Sequence, residues 1–355
     1  MKKLFKIIFK VLVTVIILVG GFVGYLTITE YKPEPIETIS IEQNATINVA
    51  LNQNITFMTF NTGYAGLGEN EDFVMDGGKK GRPDSKTVVE GYLSGIEGLI
   101  TTHSADVYLL QEVDLKARRS YNINQVEHYK SLLPNYHSTF AYNFNAVFVP
   151  FPLSLTDYIG PVKSGIQTLA KFEVESSERH QFPGEFSWPL RVANLKRAMM
   201  VNTYTITGSS KKLVVVNLHM SAYDGDGSLR AQEMGYLKTF METQIALGNY
   251  VVIGGDFNQT FPTAVDVYPT KPGLYQAYPI ESTFLPAGYQ WGIDITDPTC
   301  RLLNQPYEPS SDLTQYYIID GFIVSSNITI GSISVIQDDF KYSDHNPVVM
   351  TVTLN

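Results

Sequence analysis

The sequence contains a single cysteine, Cys300, among its 355 residues. An intrachain disulfide needs two cysteines and a cysteine-based zinc cluster needs several, so both are excluded. The shortage does not identify the compartment, because exported proteins of some bacteria also lack cysteine.

Basic residues are also in short supply. The chain has 26 Lys and Arg against 35 Asp and Glu, which gives a net charge of −9 and a pI near 5.2. Such a chain has no global electrostatic attraction to a phosphate backbone, as dedicated nucleic-acid binders have. A phosphate-bearing substrate must therefore be held by a local site or a metal ion. Hydrophobic residues make up 44% of the chain, which indicates a globular protein, and 355 residues are enough for one large domain or two modest ones.

The N-terminus differs in kind from the rest of the chain. Lys2, Lys3, Lys6 and Lys10 precede the uncharged run Val11–Thr29, which has about the ~20 residues needed to cross a bilayer. No Ala-x-Ala cleavage site follows this run, and no cysteine lies nearby for lipid attachment. The pattern predicts an uncleaved signal anchor over residues 1–29, a single-pass helix with its lysines in the cytoplasm. A cleaved signal, which would give a secreted protein, is the alternative.

Residues 30–53 contain Pro33 and Pro35 and many polar residues, which predicts an extracytoplasmic linker. Residues 54–355 then form the predicted catalytic domain. Within it, hydrophobic patterns predict strands at 54–60, 106–114, 201–206, 211–219, 251–258, 316–324, 328–336 and 348–354. Helices are predicted from a cap at Asp84 to about residue 100 and over 228–247, strands over 129–174, a mobile exposed loop at 64–83 and a long irregular connection at 260–310.

Polar side chains stand where several of these strands end. In Gly255-Asp256-Phe257-Asn258, the two polar residues are two positions apart, so they point to the same side of a strand and can reach one ligand. Alone, this motif is equally typical of a capped turn. Glu112 closes another apolar strand, where it either binds a cation or pairs with Arg118 or Arg119.

The complete set of such residues favours chemistry over separate structural roles. Carboxylates with an asparagine, and no cysteine, suit a hard cation such as Mg²⁺ better than zinc, with Mn²⁺ and Ca²⁺ as alternatives. Histidines beside a buried acid suit acid–base work, and the combination indicates a hydrolase of phosphate esters. The set consists of Asn61, Glu112, His219, Asp256, Asn258, Asp320, Asp344 and His345.

These motifs resemble those of the endonuclease/exonuclease/phosphatase superfamily, the DNase I-like hydrolases, and the anchor would make this chain a membrane-anchored bacterial member. The resemblance spans residues 55–354. Its motifs are Phe60-Asn61, Leu110-Gln111-Glu112, Asn217-Leu218-His219, Gly255-Asp256-Phe257-Asn258, Ile319-Asp320 and Ser343-Asp344-His345-Asn346-Pro347. It implies an α/β (α+β) fold, a four-layer αββα sandwich of two packed mixed β-sheets flanked by helices.

The resemblance also implies a role for each motif residue. Glu112 would be the principal metal ligand, with Asn61 nearby and Asp344 completing the shell through water. Asp256 would orient and deprotonate the attacking water. The remaining roles concern the phosphate: Asn258 and His219 would bind its oxygens, and His345, aligned by Asp320, would act on it or on the leaving group.

The substrate stays open at this level. Arg118, Arg119 and Asn145 are predicted to contact it, and no protein partner is predicted. A phosphodiester is favoured, either a nucleic acid or, because of the membrane anchor, a phospholipid or sphingolipid. A catalytically silent binding module is the alternative from another class, although every motif residue is present.

Overall fold

Two stacked β-sheets with helices on their outer faces make up most of the protein. The computed structural model describes residues 2–42 and 45–355. The α-helices are Lys2–Ile28 (α1), Lys86–Thr102 (α2), Gln125–Leu132 (α3) and Ser228–Ala246 (α4). The strands are Ile36–Thr38 (β1), Val49–Ala50 (β2), Asn54–Asn61 (β3), Val107–Ala117 (β4), His137–Val149 (β5), Gly160–Ala170 (β6), Val174–Gln181 (β7), Ala198–Thr207 (β8), Lys212–His219 (β9), Tyr250–Asp256 (β10), Tyr289–Gly292 (β11), Cys300–Arg301 (β12), Tyr316–Tyr317 (β13), Asp320–Ser325 (β14), Ile328–Val335 (β15) and Val348–Leu354 (β16).

Both sheets are mixed. The first has the order β1-β7-β8-β9-β10-β14-β11, with β2 beside β8, and the second has the order β15-β16-β3-β4-β6-β5. β10 runs parallel to β9, and β4 runs parallel to β3, whereas β10 and β14 are antiparallel. The β9–β10 pair is joined through helix α4 and the β3–β4 pair through helix α2, as neighbouring parallel strands require.

Apolar side chains fill three interfaces between four layers. The central core lies between the sheets and includes Phe57, Leu109 and Phe322. Leu237 of α4 packs against the outer face of the first sheet, and Ile96 of α2 packs against the outer face of the second. The predicted four-layer sandwich of two packed sheets flanked by helices is therefore confirmed.

Several local predictions were wrong. The loop at 64–83 is not simply exposed, since Tyr64, Ala65 and Leu67 are buried. Helix α2 is capped by Ser85, whose side chain accepts a hydrogen bond from the Val88 amide, instead of by Asp84. Helix α3 was missed because it is short and polar, and its residues 129–132 lie within the segment predicted as strands.

The N-terminal helix α1 is the one helix in the described ranges that is long and apolar enough to cross a membrane. Most of its side chains are exposed. The predicted linker that follows it lies along the first sheet, because β1 pairs with β7 and β2 pairs with β8. Gln43 and Asn44, within this segment, lie outside the described residues.

Candidate active site

Strand pairing brings the predicted residues together at one end of the two sheets. In the first sheet, the Cα atom of Asp256 on β10 pairs with His219 on β9 and with Asp320 on β14. In the second, Asn61 at the end of β3 pairs with Gln111 on β4, next to Glu112. Because the sheets are stacked, these two groups of side chains face each other.

Asp256 lies at the centre of the cluster. Its Oδ2 atom accepts a hydrogen bond from Asn61 Nδ2 at 3.0 Å and lies 3.3 Å from His219 Nε2 and 3.8 Å from His345 Nε2. Its Oδ1 atom accepts one from the Asn258 amide at 2.8 Å. Burial, reinforced by the nearby Asp320 charge, raises the pKa of Asp256 to about 6. A basic oxygen is thereby held in a fixed direction.

The two histidines have opposite electrostatic surroundings. Burial disfavours the imidazolium of His345, but Asp320 outweighs this and raises the pKa of His345 well above its usual value. Burial lowers the pKa of His219 well below its usual value, and repulsion from Arg197 adds to the effect. The site therefore combines a cationic imidazole with a neutral one.

The backbone of Glu112 is strained in a way that places its carboxylate in the site. Glu112 has a φ of 54°, in the left-handed region that non-glycine residues rarely adopt. It lies at the irregularity between Leu110 and Val113, where β4 shifts its register against β6. Its Oε1 atom lies 4.0 Å from His219 Nε2. The bulge thus turns the carboxylate away from the sheet and into the site.

The donors around Glu112 fit a hard divalent cation. In the described part of the chain, the Glu112 carboxylate accepts no hydrogen bond; Thr62 Oγ1 donates to the backbone oxygen of Glu112 instead. Asp344 is buried nearby, and burial together with the Glu112 charge raises the pKa of Asp344 to about 7 although His345 opposes this. The carboxylates of Glu112 and Asp344 and the Asn61 amide offer oxygen ligands of the kind that Mg²⁺ prefers, and Asp344 also lies 3.8 Å from His345 Nε2.

Two motif residues without a predicted role join the sheets. The Asn217 side chain on β9 donates to the carbonyl oxygens of Leu110 and Gln167 and accepts from Gln111 Nε2 at 2.8 Å. Asn217 and Gln111 are both fully buried. This bridge fixes the distance between β4, which carries Glu112, and the first sheet.

Gly255 is required by a close backbone approach. A Cβ atom at this position would lie 2.0 Å from the carbonyl oxygen of Leu218. The neighbouring strand β9 could not stay in register with any larger residue there. The glycine before Asp256 thus lets the strands that carry Asp256 and His219 pair closely.

The predicted substrate contacts have different positions. Arg119 lines the cavity, where it pairs with Asp114 at 3.0 Å and lies over the Tyr64 ring. Arg118 donates to the carbonyl oxygens of Thr156 and Tyr158, outside the cavity lining. Asn145 also lies outside it. The structure therefore brings Arg119 to the site and does not bring Arg118 or Asn145.

Two cavity residues were missed by the sequence reasoning. Arg197 lines the cavity, and its Nη1 atom is buried with no hydrogen-bond partner among the described residues. Burial lowers its pKa, opposed by the charges of Glu112, Glu233 and Asp256. An unpaired guanidinium is an anion site. Asn143 also lines the cavity, and both of its amide atoms lack partners in the described chain.

The cavity has a volume of about 810 Å³, within the usual range for ligand sites. One end is polar and holds the motif residues, with Asp320 behind His345. The other end is apolar and reaches α1. The apolar residues there are Phe22, Val23, Leu26, Phe144, Val149, Phe151, Leu153, Ile159, Phe186, Leu190 and Val192.

Comparison with known proteins agrees with this geometry. The sequence model of the Endonuclease/Exonuclease/phosphatase family matches residues 58–345. No curated protein matches the sequence at a significant level.

Solved structures show the same fold at low sequence identity. An endonuclease/exonuclease/phosphatase from Beutenbergia cavernae is 18% identical with a TM-score of 0.60, covering 85% of this chain and 72% of that one. A protein of the same description from Bacteroides vulgatus is 16% identical with a TM-score of 0.53, covering 85% and 100%. D. rerio TDP2, crystallised with a single-strand DNA product, is 14% identical with a TM-score of 0.52, covering 84% and 99%.

Proposed function

The chain belongs to the endonuclease/exonuclease/phosphatase family, whose members hydrolyse phosphate esters, and we propose that it is a phosphodiesterase that uses a divalent cation. The observation that carries this proposal is the position of Asp256. Its carboxylate lies between the Asn61 amide and two imidazoles, and one of these, His219, lies 4.0 Å from the carboxylate of Glu112. A phosphorus atom bound between these groups has a base on one side and cationic donors around it.

Each side chain then has a specific task. Asp256 orients the attacking water and takes its proton, since its Oδ2 atom faces the site. His345, held as an imidazolium by Asp320, donates a proton towards the phosphate or the departing oxygen. His219 binds a non-bridging oxygen. Asn258 Nδ2 donates to the Met220 carbonyl at 2.8 Å, and its second hydrogen is available for another oxygen.

Glu112, Asp344 and Asn61 would hold the cation, with Mg²⁺ favoured by the oxygen ligands and Mn²⁺ and Ca²⁺ as alternatives. Bound there, a divalent cation neutralises the charge that develops on the phosphate oxygens. Arg197 adds a fixed positive charge on the same side of the cavity. Donors fixed in this way contribute about 3 kcal/mol each to transition-state stabilisation.

The catalytic domain is proposed to act outside the cytoplasm, attached to the membrane by α1. Lysines flank the N-terminal side of this helix, and flanking lysines favour the cytoplasmic side. The following segment starts with Glu30 and carries no such basic cluster. The site would then lie at the outer surface of the cell membrane.

A nucleic acid is the second candidate substrate. The structure of D. rerio TDP2 with a single-strand DNA product favours it, since that protein shares the fold. The net charge of −9 and the apolar end of the cavity favour a smaller or more apolar diester.

Hydrolysis of bis-p-nitrophenyl phosphate tests the proposal against the monoester p-nitrophenyl phosphate. The wild-type chain should cleave the diester preferentially, lose this activity in EDTA and regain it with Mg²⁺ or Mn²⁺. Asp256→Asn should abolish turnover, whereas Asp266→Asn, at an exposed position, should not. Full activity in EDTA would exclude the cation, and cleavage of neither phosphoester would favour a binding module.

A further inference from the structure

The cavity that contains Asp256 and His345 continues to the N-terminal helix. Phe22, Val23 and Leu26 of α1 form one wall of its apolar end, which is also lined by Phe144 and Leu190. Resting on the proposed function, we propose that this apolar end receives the hydrocarbon chain of a lipid phosphodiester. Its phosphate would lie at the catalytic residues, so α1 would be part of the substrate site as well as an anchor.

Helix α1 contacts the domain through specific polar and aromatic interactions. Just after the helix, Glu30 pairs with Lys196 at 2.8 Å, and the side chains are only 2% and 8% exposed. Trp188 Nε1 donates to Thr27 Oγ1 at 3.1 Å. The rings of Phe22 and Phe148 meet edge to face, with centroids 5.8 Å apart. These contacts hold the last two turns of the helix as a wall of the cavity.

The rim beside this wall is unusually apolar. Leu153 and Leu155 are 94% and 97% exposed, and Trp188 and Leu190, in the loop that contacts α1, are 56% and 64% exposed. Clustered exposed hydrophobic side chains mark an interaction surface, and tryptophan is enriched at membrane interfaces. Because these side chains lie next to a helix that is able to span a bilayer, the partner of this surface is the lipid leaflet.

The length of α1 places the cavity mouth at the depth of the outer lipid leaflet. At about 1.5 Å per residue, Val11–Thr29 is about 28 Å long, close to the ~30 Å hydrocarbon core. Phe22 would then lie about 10 Å below the outer end of this segment. The loops that contact it reach the leaflet, so a lipid can enter the cavity sideways without leaving the membrane completely.

A series of alkyl p-nitrophenyl phosphates tests the inference with one leaving group. The full-length chain, held in nanodiscs with Mg²⁺, is assayed on the methyl, butyl and octyl diesters. If the alkyl group is buried against α1, kcat/KM should rise by at least about twofold per added methylene, below the limit of about fourfold for complete burial. Thymidine 5′-(p-nitrophenyl phosphate) serves as the competing nucleic-acid probe.

Two substitutions on one face of α1 provide a matched pair. Val23→Trp places a larger side chain in the apolar end of the cavity. It should lower the octyl-to-methyl ratio of kcat/KM at least about tenfold. Val19→Trp, one turn earlier and outside the cavity lining, should preserve the wild-type ratio.

The outcomes separate this inference from the function on which it rests. Turnover of the methyl diester with no dependence on chain length, or a thymidine ester preferred over the octyl ester, would overturn the lipid site and leave the phosphodiesterase intact. If no diester is cleaved in Mg²⁺ or Mn²⁺, the proposed function itself fails. An equal loss of the ratio in Val19→Trp and Val23→Trp would also overturn the role of the cavity wall.

Discussion

The Nδ1 atom of His345 lies 2.8 Å from Oδ2 of Asp320, and both side chains are buried. This contact fixes the ring so that Nε2 faces the phosphate site. Asp320→Asn removes the charge that favours the imidazolium and retains the shape. We expect kcat to fall about a hundredfold with little change in KM, since acid–base groups contribute about 10² to 10⁴.

The measurement is steady-state hydrolysis of bis-p-nitrophenyl phosphate, with thermal unfolding as a control for structure. Asp266→Asn makes the same chemical change at an exposed position and should leave both parameters unchanged. An Asp320→Asn variant with wild-type kcat would show that His345 needs no neighbouring carboxylate for its role in catalysis.

The same substitution is predicted to have a large effect at Arg197 and little effect at Arg118. Arg197→Gln removes the unpaired guanidinium from the cavity, so kcat/KM should fall at least about tenfold because a charged hydrogen bond to phosphate is lost. Arg118→Gln changes a residue bound to Thr156 and Tyr158 and should have little effect. The reverse result would restore Arg118 as the substrate contact predicted from the sequence.

The motif residues could be located from the sequence because each lies beside a strongly hydrophobic strand, either at its end or just before it. The apolar run before Asp256 and the one before His219 are local signals, and parallel pairing of β9 with β10 places their ends together. Arg197 lacked such a signal. It comes just before β8, and reaches the site only because β8 runs antiparallel to β9, with Met199 opposite Leu218.

Asn143 could not be placed from the sequence because the strand that carries it is irregular. The pairing of β5 with β6 shifts between Tyr142 and Phe144. A shift of one residue exchanges the faces of a strand, so an alternation counted from the sequence cannot place Asn143 or Asn145 beyond it. The burial of Tyr64 likewise depends on Arg119, a partner distant in sequence.

Glu112 is predicted to be required for hydrolysis although its backbone conformation lowers the free energy of unfolding. Its φ of 54° costs a glutamate roughly 1 kcal/mol, and asparagine tolerates this conformation better. Glu112→Asn should therefore raise the free energy of unfolding in EDTA by about 1 kcal/mol while abolishing hydrolysis. Urea denaturation measures the first effect. Glu281→Asn, at an exposed position with ordinary φ, is the control, and a destabilised Glu112→Asn would argue against strain.

Asn217 is predicted to stabilise the fold, because its side chain bridges the two sheets. Asn217→Ala removes the side-chain donor to the Leu110 and Gln167 carbonyl oxygens, whereas Gln111 Nε2 still donates to Leu109 and Thr59. The free energy of unfolding should fall by about 2 to 4 kcal/mol, since each buried orphan costs about 1 to 3 kcal/mol. Asn145→Ala, at a partly buried position, should cost less than about 1 kcal/mol. A loss of less than about 1 kcal/mol at Asn217 would mean that water replaces the bridge.

Trp188 offers a direct measurement of how the domain meets the membrane. The chain has two tryptophans. Trp188 is 56% exposed beside Thr27, whereas Trp291 packs against Phe261 with ring centroids 5.3 Å apart. In vesicles of brominated phosphatidylcholine, bromine atoms in the leaflet should quench Trp188 and spare Trp291. The fluorescence of the full-length chain should therefore fall, and that of Trp188→Phe should not. Equal quenching of the two proteins, or none in either, would place the cavity mouth away from the leaflet.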